Sequence, residues 1–204
     1  MRDNARELII SELINTQRPT MKMLTDMMNA GGFFIAPASG DKHLCVSGGL
    51  AEHSLNVLEI CRNLNAALDA KIPDSSIVIV ALLHDLGKMG DYGKENYVPN
   101  MIKDGKPTKE SPEQKYKQSE AKPFETNKDL LYIDHEIRSV EIARQYIELT
   151  EEENWAILMH NGLYGSFKYE IPGKETPLYL ILHTADMWAS RVIEVSNGSK
   201  EKNI

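Results

Sequence analysis

Apolar residues recur along most of the chain at the three- and four-residue spacing that marks one face of an α-helix. Between these segments stand glycines, prolines and polar residues of the kinds that end helices, such as Gly31-Gly32. The pattern therefore predicts a mainly helical chain. The predicted helices cover residues 4–15, 19–29, 50–68, 77–83, 135–149, 150–160 and 177–195.

One of these helices is apolar on every side. Residues 77–83 read Ile-Val-Ile-Val-Ala-Leu-Leu, and Ser75 or Ser76 can cap its start. A helix without a polar face is expected at the centre of the fold.

Three later helices carry start signals. Thr150 and Glu153 have the spacing of a capping box, in which each side chain binds the other's backbone N–H. Asp134 is a candidate N-cap for the helix before it, and Pro177 fits the first turn of the last helix.

Residues 90–130 break the helical pattern, because they are dense in Gly, Pro, Lys and Glu. A segment of this length without helical period is typical of a lid or binding loop, and a disordered surface loop is the alternative. Asp104-Gly105 beside Met101-Ile102 predicts a hairpin turn. A short strand is also predicted around residues 43–46.

Length and charge narrow the class of protein. A chain of 204 residues favours one domain. With 23 basic and 30 acidic side chains the formal net charge is −7. This charge argues against binding long nucleic acid or an acidic membrane through bulk positive charge. A small anionic ligand is still compatible with it.

Cysteine content and targeting signals point to the cytoplasm. Cys45 and Cys61 are too few for a disulfide scaffold and lack metal-site spacing. No signal peptide is evident, and the longest apolar run is far shorter than the ~20 residues of a membrane span. We expect a soluble, reduced, cytoplasmic protein.

Histidine and aspartate residues are the candidate chemistry. His84 and Asp85 directly follow the apolar helix 77–83, so burial would require them to be paired, hydrogen-bonded or metal-bound. Imidazole and carboxylate ligands without thiolate suit Mn, Fe, Co, Ni, Zn or Mg ions. The other candidates, on further predicted helices, are His53, His135, His160 and Asp186.

The ordered series of these six residues resembles the HD-domain superfamily of metal-dependent phosphohydrolases, over residues 48–195. The segments Gly-Gly-Leu-Ala-Glu-His-Ser (48–54) and Ala-Leu-Leu-His-Asp-Leu-Gly-Lys (81–88) look especially close. Similar segments occur in the HD domain of bacterial YhaM-type exoribonucleases and in small HD hydrolases of phages and bacteria. The resemblance implies an all-α helical bundle, with a long inserted loop or small β-hairpin after the His-Asp helix.

The resemblance also implies one or two divalent metal ions. A first ion would be held by His53, His84, Asp85 and Asp186. In members with two further histidines, Asp85 would bridge to a second ion bound by His135 and His160. The alternative is a single ion with these two histidines in a structural role.

Three more residues are candidates with open alternatives. Lys88 suits a substrate phosphate oxygen, or it complements a helix dipole. Arg138 points to the substrate or forms a surface ion pair. His183 shares a helix face with Asp186, and we interpret it as a supporting or core residue rather than a ligand.

The resemblance implies hydrolysis of a phosphoester in a nucleotide or short oligonucleotide by metal-activated water, with Asp85 and Lys88 as catalytic residues. The alternatives are a non-catalytic metal- or nucleotide-binding sensor and a single-strand nuclease. We expect a small phosphoester ligand, neither long nucleic acid nor membrane as partner, and leave oligomerisation open. The expected organisation is one domain, 1–204, with a helical extension 1–47, a core 48–195 containing the insertion 90–130, and a flexible tail 196–204.

Overall fold

The computed structural model of the protein describes residues 2–107 and 112–195, and the predicted tail 196–204 lies outside them. Within these residues the chain forms seven α-helices, which confirms the predicted all-α class. None of them has the length and apolarity needed to cross a membrane. The helices are α1 (Ala5–Asn15), α2 (Met21–Ala30), α3 (Gly49–Ala67), α4 (Asp74–Leu83), α5 (His135–Arg144), α6 (Glu151–Met159) and α7 (Pro177–Trp188).

Helix α4 is the centre of the core, as its continuous apolar sequence predicts. Every residue from Ile77 to Leu83 is buried, and α1, α3, α6 and α7 pack around it. Burial of one such aliphatic side chain contributes about 1.5–3 kcal/mol, so this helix fixes the arrangement of its neighbours.

Two predicted caps differ from the structure. Helix α4 begins at Asp74 with Pro73 at the N-cap, so Ser75 and Ser76 lie inside the first turn and the predicted serine cap is wrong. Asp134 does occupy the N-cap position of α5, but its side chain makes no cap hydrogen bond. Its carboxylate instead accepts hydrogen bonds from the hydroxyls of Tyr132 and Ser166, both at 2.5 Å.

The starts of α6 and α7 agree with the sequence. The capping box of Thr150 and Glu153 is formed in both directions, and Pro177 opens α7. The last predicted helix is interrupted, because α7 gives way to a π-helical turn, Ala189–Ile193.

The insertion after α4 forms short antiparallel ladders. The first hairpin, β1 with β2, is followed by β3 paired with β6, with Tyr97 opposite Thr126. Nested between those two strands, β4 pairs with β5, which confirms a small β-hairpin in the insertion. The hairpin turn predicted at Asp104-Gly105 is wrong, because residues 104–115 separate the two strands and the N–H of Asp104 donates to the oxygen of Lys115 at 2.8 Å. The strand predicted around residues 43–46 is wrong, since this segment has bends at residues 43 and 46 and no strand pairing. The strands are β1 (Gly90–Asp91), β2 (Lys94–Glu95), β3 (Tyr97–Pro99), β4 (Met101–Lys103), β5 (Tyr116–Gln118) and β6 (Phe124–Thr126).

Candidate metal centre

The His-Asp pair lies where α4 ends. His84 is the C-cap residue of the helix, and Asp85 leaves helical geometry before a 3₁₀ turn, Leu86–Met89. Both side chains are almost fully buried, at 0% and 1% exposure. The end of the most buried helix therefore delivers an imidazole and a carboxylate to the interior.

Close packing of the 3₁₀ turn on α5 brings His135 to the same place. The N–H of Gly87 donates to Oγ of Ser139 at 2.8 Å. An added Cβ at Gly87 would lie only 2.4 Å from the backbone oxygen of His135, so glycine permits this approach.

Four of the six predicted ligands meet on one side of the site. Nε2 of His53 lies 3.2 Å from Oδ1 of Asp186 and 3.3 Å from Nε2 of His84. Oδ2 of Asp85 lies 3.4 Å from Nε2 of His84 and 3.5 Å from Nε2 of His53. Side chains from α3, from α7 and from the end of α4 thus converge.

Asp85 also faces the other two predicted ligands, His135 and His160. Its Oδ1 lies 3.1 Å from Nε2 of His135 and 3.5 Å from Nε2 of His160, and the two imidazole nitrogens are 3.4 Å apart. His53, His84 and Asp85 form one group able to hold a metal ion, and Asp85, His135 and His160 form another. Asp85 is common to both groups.

Backbone carbonyls orient two of the imidazoles. Nδ1 of His84 lies 2.9 Å from the oxygen of Ala81, and Nδ1 of His160 lies 2.7 Å from the oxygen of Ile157. Because a carbonyl only accepts hydrogen bonds, Nδ1 carries the proton in each ring. The lone pair of each Nε2 therefore points into the centre, as metal ligation requires.

The oxygen Oδ1 of Asp85 is the observation that tests the fit of a metal. It is buried and accepts no hydrogen bond within the described part of the chain, because the contact with Nε2 of His135 at 3.1 Å lacks hydrogen-bond geometry. A buried carboxylate oxygen without a partner is costly, and a cation satisfies it. The donor set of imidazole nitrogens and carboxylate oxygens suits a first-row divalent ion or Mg²⁺, so the residues fit the metal that the sequence predicts.

A family model, described as HD domain, matches residues 50–186, which include all six predicted ligands. The chain belongs to the HD domain family. The match confirms the superfamily recognised from the sequence, which consists of metal-dependent hydrolases, while the closer resemblance to YhaM-type enzymes stays a prediction. No curated protein and no solved structure matches the chain significantly.

We call the cluster of the six predicted ligands the HD centre. Its two carboxylates, those of Asp85 and Asp186, are held in their charged form. Burial raises the pKa of Asp85, but Lys88 and His84 outweigh this and hold it well below its usual value. Burial also raises the pKa of Asp186, but the hydrogen bond with His53 outweighs this and holds the pKa well below its usual value. Burial lowers the pKa of His53, yet hydrogen bonds to Asp186 and Glu194 raise it to about 10.

A cavity of about 500 Å³ opens beside the HD centre. Lys88 and Asp186 are among its lining residues, and Nζ of Lys88 donates to Oδ2 of Asp85 at 2.7 Å. The insertion forms one wall through Tyr97 and Phe124. Tyr164 and Arg191 also line the cavity, and the guanidinium of Arg191 lies over the ring of Tyr164, 4.1 Å from its centroid.

The structure corrects the placement expected for Arg138. This side chain is 2% exposed, so it forms no surface ion pair, and it does not line the cavity. Its guanidinium donates to the oxygen of Leu131 at 3.0 Å and lies 3.5 Å from Asp91. The 3₁₀ turn packs against Arg138 through Gly87, where an added Cβ would lie 2.8 Å from Cβ of Arg138.

His183 lies next to the centre without reaching it. Its Nδ1 is 2.7 Å from the backbone oxygen of His160, and its ring stacks on Tyr179. In this position it supports the segment that carries His160.

The sequence did not reveal two further residues at the centre, His43 and Glu194. Nδ1 of His43 lies 2.5 Å from Oε2 of Glu194. Burial raises the pKa of Glu194, but hydrogen bonds from His43 and His53 lower it to about 2. Its position eight residues after Asp186, about two turns along the predicted helix, was the available signal.

Proposed function

We propose that this HD domain hydrolyses a phosphoester bond of a nucleotide or short oligonucleotide, with water activated by divalent metal ions. The main support is that two groups of ligand-type side chains share one buried carboxylate, Asp85. Such an arrangement suits two neighbouring ions, and their proposed ligands are His53, His84, Asp85 and Asp186 for one and Asp85, His135 and His160 for the other. When bound, such ions lower the pKa of water to supply a nucleophile and neutralise charge on the phosphoryl group.

In this proposal the side chains of the centre and of the cavity have different roles. Asp85 lies between the two groups of ligands and faces each group with one carboxylate oxygen. Lys88 places a cation at the boundary between centre and cavity, where it binds a phosphate oxygen of the substrate. Tyr97 and the Tyr164–Arg191 pair offer aromatic and cationic surfaces for the rest of a nucleotide.

A small ligand fits this cavity better than a long polymer. Its volume of about 500 Å³ lies in the range of small-molecule sites. The net charge of −7 would repel an extended polyanion. We therefore propose a nucleotide-sized phosphoester as substrate.

The test is a screen of nucleotides, cyclic nucleotides and dinucleotides in the presence of Mn²⁺, Ni²⁺, Co²⁺ or Mg²⁺. We expect metal-dependent release of a phosphoester product. Asp85→Ala should abolish both metal binding and turnover, because it removes the carboxylate common to both groups. Asp26→Ala, which removes an exposed aspartate paired with Lys22, is the control and should change neither.

Two outcomes would contradict the proposal. One is hydrolysis that persists in Asp85→Ala protein treated with a chelator. The other is a stoichiometric complex with a nucleotide that stays intact for hours with Mn²⁺ present, which would indicate a sensor.

A further inference from the structure

His53 is held differently from the other imidazoles of the centre. His84 and His160 are each oriented by a carbonyl three residues earlier in their own helix. Nδ1 of His53 instead lies 3.0 Å and 3.1 Å from the two carboxylate oxygens of Glu194. A charged residue from the far end of the described chain thus orients one candidate ligand.

Glu194 is enclosed by hydrogen-bond donors. Its side chain is 1% exposed, and Nδ2 of Asn56 donates to its Oε1 at 2.9 Å. Oε2 lies 2.5 Å from Nδ1 of His43. A carboxylate only accepts hydrogen bonds, so both histidines carry their proton on Nδ1. Each ring therefore has its Nε2 available for another partner.

The two Nε2 atoms belong to different parts of the site. Nε2 of His53 faces His84, Asp85 and Asp186 in the centre. The ring of His43 lines the cavity, and its Nε2 makes no hydrogen bond to any described residue. One carboxylate is thus shared by a residue of the centre and a residue of the cavity wall.

The backbone places Glu194 for this contact. The π-helical turn Ala189–Ile193 ends at Glu194, with the N–H of Glu194 donating to the oxygen of Ala189 at 3.0 Å. A π turn adds a residue to the helical turn and so changes the direction of the side chains that follow, and such turns are frequent at functional sites.

We propose that Glu194 is a positioning residue, which orients His53 for metal ligation through Nε2 and couples it to His43 on the cavity wall. This inference rests on the proposed metal centre and adds a residue that holds no metal itself. A carboxylate behind a ligating imidazole fixes the ring and raises its basicity, and loss of such a partner costs about 10–100-fold in metal affinity.

The experiment compares metal binding by the full chain and two variants, using calorimetry with Mn²⁺ and Zn²⁺. Glu194→Gln keeps the shape but removes the charge, and we expect metal affinity to fall about 10–100-fold with unchanged stoichiometry. Glu153→Gln is the matched control, because Glu153 is equally buried and bound to Arg18 and Thr150, away from the centre. It should lower thermal stability without changing metal affinity.

A measurement on the unaltered protein gives a second readout. In the Zn²⁺-loaded chain with ¹⁵N-labelled histidine, long-range ¹H–¹⁵N spectra should show His53 protonated at Nδ1 and metal-bound at Nε2. Metal on Nδ1 of His53 would overturn the inference, since Glu194 then could not be its hydrogen-bond partner.

The remaining outcomes separate this inference from the proposed function. Equal metal affinity in Glu194→Gln and the unaltered chain would overturn the inference alone. Loss of one metal equivalent in Glu194→Gln would also overturn it, because Glu194 would then be a ligand. Failure of the unaltered chain to bind any metal would overturn both proposals.

Discussion

Gly87 determines how closely the 3₁₀ turn approaches α5. An added Cβ would lie 2.8 Å from Cβ of Arg138 and 3.0 Å from the nitrogen of Ser139, besides its contact with the His135 carbonyl. We expect Gly87→Ala to lower the free energy of unfolding by about 1–3 kcal/mol, as overpacking of rigid backbone does. It should also weaken metal binding, because His135 would shift. Chemical denaturation and calorimetry measure the two effects.

Gly31→Ala is the matched control for this prediction. Its Cβ would meet the Met27 carbonyl and the flexible end of Met89, both at 3.1 Å. The smaller obstruction should cost less stability and leave metal affinity unchanged. Equal losses in both variants would show that Gly87 has no special packing role.

A substitution of Lys88 should distinguish an effect on catalysis from an effect on metal binding. Its ammonium group lies 2.7 Å from Asp85, so it competes electrostatically with a cation at the same carboxylate. Lys88→Met keeps the length and removes the charge. We expect turnover to fall about 10²–10³-fold, as for loss of one transition-state donor, while metal affinity does not decrease.

The control for Lys88 is Lys42→Met, which removes an exposed cavity lysine and should have a smaller effect on turnover. A parallel loss of metal affinity and turnover in Lys88→Met would contradict the substrate role. It would indicate that the lysine only maintains the geometry of Asp85.

At the scale of elements, the insertion has an inner and an outer part. The inner ladder, β3 with β6, supplies Tyr97 and Phe124 to the cavity. The outer ladder, β4 with β5, is exposed at every strand position. The N–H of Ser119 donates to the oxygen of Asn100 at 2.9 Å, so these two residues are close enough for a short connection.

We expect the outer ladder to be dispensable. Replacing Met101–Gln118 by Asn-Gly, a pair suited to a two-residue hairpin turn, should change the free energy of unfolding by no more than about 0.5 kcal/mol. Metal affinity should stay unchanged, since no residue of the centre lies there. Denaturation and calorimetry test this, and loss of the folded state would contradict it.

The sequence predicts elements better than contacts between them. The seven described helices follow from apolar periodicity, because each buries one face or, for α4, its whole apolar run Ile77–Leu83. The six ligand-type residues follow from their places on predicted helices and from their order along the chain, which resembles that of a known superfamily. The contact of His43 with Glu194 joins positions 151 residues apart, and the π turn disturbs the period that would have related Glu194 to Asp186. The contact of buried Arg138 with Asp91 in the insertion likewise joins positions far apart in the chain, which no local pattern reveals.

At the scale of the whole molecule, the acidic charge and an anionic substrate are compatible. The net charge is −7, but Asp85 and Asp186 are placed to bind cations rather than to repel substrate. Bound divalent ions are the largest local charges in such a site and reverse the sign of its field. Lys88 adds a further positive charge at the cavity.

The same centre connects most of the fold, so metal should stabilise the whole protein. Its proposed ligands come from α3, α5, α7 and the C-terminal ends of α4 and α6, elements that are separate in the unfolded chain. Mn²⁺ at 100 times its Kd should raise the free energy of unfolding by about 2.7 kcal/mol, because it binds only the folded state. Thermal denaturation with and without chelator measures the gain, and Asp85→Ala should abolish it.

The pH dependence of this gain identifies the ligands as imidazoles. Metal binds neutral histidine, so protons compete with it, and in the metal-free chain hydrogen bonds to Asp186 and Glu194 raise the pKa of His53 to about 10. Each further proton that the ligands take up as the pH falls must be released when metal binds, so at a fixed Mn²⁺ concentration the stabilisation should be larger at about pH 7.5 than at about pH 5.5. Four of the six proposed ligands are histidines, so the loss should be steep. Equal stabilisation at both pH values would point instead to carboxylates at the surface, such as the exposed acidic residues, and against the buried centre.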